Sequence, residues 1–72
     1  MMNYLLCKES LSENELQVKA AFVNFVEAEL FANNYYKHEY YCIFDMNAKA
    51  VVVNKSTLSS NQLYNILKTI NI

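Results

Sequence analysis

The sequence predicts an α+β fold of order β-α-β-β-α: a three-stranded antiparallel sheet (order 1-3-2) with two helices on one face. Three observations carry that reading. A helix-opening motif occurs twice, a tyrosine-rich segment alternates between the two copies, and a three-valine block precedes the second copy. The motif reads Leu11-Ser12-Glu13-Asn14-Glu15-Leu16 and again Leu58-Ser59-Ser60-Asn61-Gln62-Leu63. In each copy the serine can cap the helix, the Glu or Gln three residues on can cap back, and the leucines can clasp as a hydrophobic staple.

Residues 3–8 read as a short strand, ended by the polar Glu9 and Ser10. A helix is expected from Ser12 to Ala32, about 20 residues and ~30 Å long. Asn33 and Asn34 would supply its left-handed C-cap in a chain that contains no glycine. Residues 35–45 then alternate as a strand, with Tyr36, His38, Tyr40, Cys42 and Phe44 on one face and Tyr35, Lys37, Glu39, Tyr41 and Ile43 on the other. A tight turn at Asp45-Met46-Asn47-Ala48, with Asn47 as the residue of positive φ, leads into a strand over residues 49–55. The second helix follows Ser59, with Leu63, Ile66, Leu67 and Ile70 on its apolar side.

The motifs lie 47 residues apart, and the same offset superposes Leu5-Leu6 on Val52-Val53 and Lys8 on Lys55. Two β-α units joined by a hairpin, with a right-handed first crossover, place the third strand between the first two. Leu5, Leu6 and Cys7, like Val51 to Val53, are apolar on both sides of their strands, so the second sheet face also needs a cover.

Seventy-two residues make a single small domain over 1–72, whose core by itself supplies only about 3 to 5 kcal/mol. Yet 54% of the residues are hydrophobic, above the roughly 45 to 50% of ordinary domains. That surplus predicts self-association as a homodimer, a larger protein target, or both. No apolar run approaches the ~20 residues of a membrane-spanning helix. The start lacks a charged segment and a long apolar run of signal-peptide type, which points to the cytoplasm, where Cys7 and Cys42 are expected as free buried thiols.

On a helical wheel Val18, Phe22, Val23, Phe25, Val26 and Leu30 share one arc facing the sheet, while Phe31 lies off it. Glu29 falls inside the arc, either reaching water near the helix end or serving an interface. Six tyrosines complete the picture, and tyrosine is enriched where proteins meet, although it also favours strands on its own account. The candidate interface is therefore Tyr35, Tyr36, His38, Tyr40 and Tyr41 on the second strand, with Phe31 and Glu29 of the helix.

No catalytic constellation stands out. Phosphate loops need glycines the chain lacks. His38 and Cys42 are ~13 Å apart along an extended strand, too far for one metal or a nucleophile-base pair. No enzyme activity, cofactor or metal is expected.

The favoured function is a small protein-interaction module, a homodimer that binds and inhibits or titrates a larger protein. With ten Asn and no Arg, Gly, Pro or Trp, the profile resembles products of AT-rich phage and mobile-element genomes, which implies a host protein target, anti-defence among the roles, and a host cytoplasm. The alternative is a small nucleic-acid-binding domain, since the predicted outline is shared with double-stranded-RNA-binding domains and Lys8 and Lys55 precede the two expected helices. A net charge of −1, six scattered lysines and no arginine rank that reading second.

Overall fold

The computed structural model describes residues 2–13 and 15–70. It contains β1 (Tyr4–Ser10), β2 (Glu15–Phe22), α1 (Phe25–Tyr35), β3 (Tyr41–Asp45), β4 (Ala50–Lys55) and α2 (Ser60–Thr69). The class is α+β with an antiparallel sheet and two helices, as expected. The sheet, however, has four strands in the order β2-β1-β3-β4, not three in the order 1-3-2.

The extra strand is the segment expected to start the first helix. Glu15 to Phe22 pairs with β1 from Ser10↔Glu15 to Tyr4↔Phe22, so Leu11 to Glu13 belong to a hairpin turn and Ser12 caps nothing. Asn14 of the motif lies outside the described residues. Leu16, Val18, Ala20 and Phe22 recur at every second position, the strand period. β1 is apolar on both faces, and pairing on both edges makes it an interior strand with Leu5, Leu6 and Cys7 buried. A helix from Ser12 would leave one of those edges unpaired.

The helices lie on opposite faces of the sheet, which corrects the one-sided arrangement. α2 covers Leu5, Cys7, Cys42 and Phe44 with Leu63 and Leu67, while α1 covers Leu6, Tyr41 and Ile43 with Ala28 and Ala32. The need for a second cover is thus met within the chain. Each fully buried Leu, Ile or Phe in these layers contributes ~1.5 to 3 kcal/mol relative to exposure.

Two bulges let the edge strands serve both layers. Lys19 is skipped between the pairs Cys7↔Val18 and Leu6↔Ala20, so Leu16 packs on the α2 side whereas Ala20 and Phe22 pack on the α1 side. Val52 is skipped between Phe44↔Val51 and Ile43↔Val53, sending Val51 to the α2 layer and Val53 to the α1 layer. A bulge opposes two residues to one and reverses the inward parity beyond it. The valine block needs that reversal, because its outer members feed different layers.

The second capping box forms as expected. Ser59 Oγ accepts from the Gln62 N–H at 3.1 Å, and Gln62 Oε1 accepts from the Ser59 N–H at 2.9 Å. Leu63 and Leu67 face inward, with Leu58 and Ile70 packed beside them. The β3-β4 hairpin also forms, but Lys49 takes the positive φ, 55°, and not Asn47. The Asp45 carboxylate explains the difference, because it accepts from the N–H groups of Asn47 and Ala48, both at 3.0 Å, and holds those two in a local turn.

Candidate interaction surface

α1 opens at Asn24, twelve residues later than expected. Asn24 Oδ1 accepts from the Glu27 N–H at 2.9 Å, and Asn24 Nδ2 donates to Glu27 Oε1 at 2.9 Å. The helix runs on past Asn33 and Asn34 to Tyr35, so these do not cap it. Its C-cap is Tyr36, whose N–H donates to the Ala32 carbonyl at 2.8 Å.

The face of α1 that meets the sheet is not the one expected. The inner face of α1 is built from Ala28 and Ala32, fully buried one turn apart, with Phe25 and Phe31 wedged beside them. Alanines at the contact let the helix axis come close to the sheet. The larger aliphatic residues consequently point away from it: Val23 is 51% exposed, Val26 64% and Leu30 57%. The wheel of the longer helix puts all three on the covered side and Phe31 outside, so both expectations are corrected.

The tyrosine segment divides as well. Only Tyr41 lies on a strand, because β3 spans Tyr41 to Asp45, whereas Tyr35 ends α1 and Tyr36, His38 and Tyr40 belong to the connection. Phe31 is the hub of an aromatic cluster, with ring centroids 5.4 Å from Phe22, 4.6 Å from Tyr35 and 6.0 Å from Tyr36. Tyr36 continues to the buried Tyr41 at 6.5 Å. Such tilted pairs add ~0.5 to 1.5 kcal/mol beyond area burial, so Phe31, Tyr36 and Tyr41 serve the packing of α1. Tyr35, at 70% exposure, and Tyr40 remain available at the surface.

Glu29 is exposed on α1. Burial raises the Tyr41 phenol pKa, and the nearby negative charge of Glu29 raises it further. His38 and Tyr40 line an open recess of about 460 Å³ with Tyr41, Asn33, Lys37 and Lys55, opposed by Glu39. Lys8, Tyr41 and Lys55 form one row across β1, β3 and β4, so two lysines on separate strands flank the same tyrosine.

The surface therefore has two parts: a polar recess at the C-terminal end of α1 and an aliphatic ridge along its outer side. Sequence reasoning missed the ridge, although Asn24 followed three residues later by Glu27 is itself a capping signature that would have set the helix start. Among the described residues no three His, Cys, Asp or Glu side chains come together as a metal site, and no helix is long and apolar enough to cross a membrane. No protein-family profile, curated protein or solved structure matches this chain.

Proposed function

We propose that this chain is a small non-enzymatic protein-interaction module that docks through the outer face of α1 and acts by occupying, and so inhibiting or titrating, a larger protein. The observation that carries the proposal is the inversion of α1, with alanines against the sheet and Val23, Val26 and Leu30 in solvent. Scattered exposed aliphatics are ordinary, whereas a contiguous stripe marks a contact surface. Val26 and Leu30, one turn apart on the helix with Val23 just ahead of its N-cap, have the i, i+4 spacing of anchors that lie in a partner's groove. Self-association, the other outlet for surplus apolar area, is read out by the same experiment.

The test compares the wild-type chain with Val26→Lys/Leu30→Lys, both first checked for helix content by circular dichroism. Each is immobilised and exposed to lysate of the cell that carries it, and each is sized by light scattering. A protein retained by the wild type and lost by the variant supports the reading. Identical retention by both, or none by either, refutes docking through α1.

A second reading has a specific observation in its favour. Lys55 and Lys37 converge on the recess with His38, and Lys8 lies in the same cross-strand row, which is a local cationic face for nucleic acid. Glu39 and the carbonyl end of α1 oppose it. Salt-dependent retardation of duplex RNA or DNA, lost in Lys37→Gln/Lys55→Gln, would establish this alternative.

A further inference from the structure

We infer that the partner of the α1 ridge is an apolar groove bordered by lysine or arginine on another protein, and not a second copy of this chain. The inference rests on the interaction reading above and adds the partner's chemistry. At 100° per residue, Glu29 lies about 60° from Val26 on one side of the ridge and Glu27 about 60° from Leu30 on the other. Both carboxylates are exposed, and no Lys or Arg occurs between Phe25 and Tyr35. The ridge is thus an aliphatic strip with one negative charge along each flank.

Neither flank charge is neutralised by a cation of its own helix. Glu27 is engaged with the neutral side chain of Asn24, and the charge of Glu29 is felt by Tyr41, which is also uncharged near neutral pH. A groove wall carrying lysine or arginine on both rims complements this strip in sign as well as in shape. A second copy does not. Packing two ridges about a two-fold axis between Val26 and Leu30 gathers four carboxylates around that axis, and like charges across an interface act against it.

The probe is a designed antiparallel two-helix hairpin with a leucine groove, made once with lysine on both rims and once with glutamate. Each is titrated into the labelled chain and followed by amide chemical shifts. The expected result is binding of the lysine-rimmed hairpin, with shifts centred on Val23, Val26, Glu27, Glu29 and Leu30 and about tenfold weaker binding of the glutamate-rimmed one. In Glu27→Gln/Glu29→Gln that preference should fall to about twofold or less, while the amide oxygen introduced at position 27 still accepts from Asn24. Equal binding of both hairpins at the ridge would overturn the charge inference and leave the docking face intact. Binding elsewhere, or a dimer that buries Val26 and Leu30, would overturn it as well. Failure of the interaction reading has its own signature, the identical retention of wild type and ridge variant.

Discussion

The Glu9 carboxylate accepts both the backbone N–H of Thr57, at 2.8 Å, and its hydroxyl, at 2.5 Å, across 48 residues of chain. Glu9 is the buried charged residue at the end of β1, only 8% exposed, and Thr57 stands two residues ahead of the α2 N-cap. This contact pins the entry of α2 to the opposite end of the chain. Asn54 assists from β4, its Oδ1 accepting from the Ser56 N–H and its Nδ2 donating to the Leu58 carbonyl.

Glu9→Ala should destabilise the fold by about 2 kcal/mol, because it removes two charge-assisted hydrogen bonds and leaves the Thr57 N–H without its acceptor. Glu9→Gln keeps one acceptor and should cost about half as much. Urea unfolding followed by far-UV circular dichroism measures both, and an unchanged midpoint for Glu9→Ala would refute the pin.

The three serine and asparagine positions separate cleanly by mutation. Asn24→Ala and Ser59→Ala should each cost ~1 kcal/mol, since each orphans a first-turn N–H. Ser12→Ala should change stability by less than about 0.5 kcal/mol, because Ser12 lies in an exposed hairpin turn. A cost at Ser12 matching that at Ser59 would mean that a helix opens there after all.

Lys49 adopts a left-handed conformation that a side chain with a Cβ tolerates poorly. Lys49→Asn should stabilise the hairpin by about 0.5 kcal/mol, and the β-branched Lys49→Val should destabilise it by about 1 kcal/mol. Thermal unfolding of the pair reads out the difference in opposite directions.

Stability should decline in alkali. Cys42 faces Cys7 directly across β1 and β3, and the hydrogen bond with that thiol, reinforced by burial, raises the Cys42 pKa. The folded chain then holds a proton that the unfolded chain releases above its ordinary pKa of about 9. The contribution is complete below that pH and is lost as pH rises beyond it. Tyr41, raised by burial and by Glu29, adds a second decline from about pH 10 upward. Urea midpoints should be level between pH 7 and about 8.5 and fall above 9, with Cys42→Ala removing the first part of the fall. In the native state Cys42 should resist alkylation at neutral pH, since the thiolate is the nucleophile.

The sequence by itself determined the elements whose signals were local. The Ser59 box and the Asp45 turn rest on contacts within a few residues, the first strand and the apolar side of α2 show as patterns over a few residues, and all of them form. Its two-sided apolar strands also required covers on both sheet faces. Tertiary structure decided the rest. Residues 15–22 satisfy both a helical and an alternating pattern, and only the unpaired edge of β1 selects the strand. That choice moves the helix start to Asn24, and packing on the sheet then leaves Val26 and Leu30 outward. The candidate surface was legible as a composition, too much apolar area for the chain, but not as a place. Which face of α1 meets water is set by how it packs on Leu6, Tyr41 and Ile43 of the sheet, contacts that no pattern within the helix itself specifies.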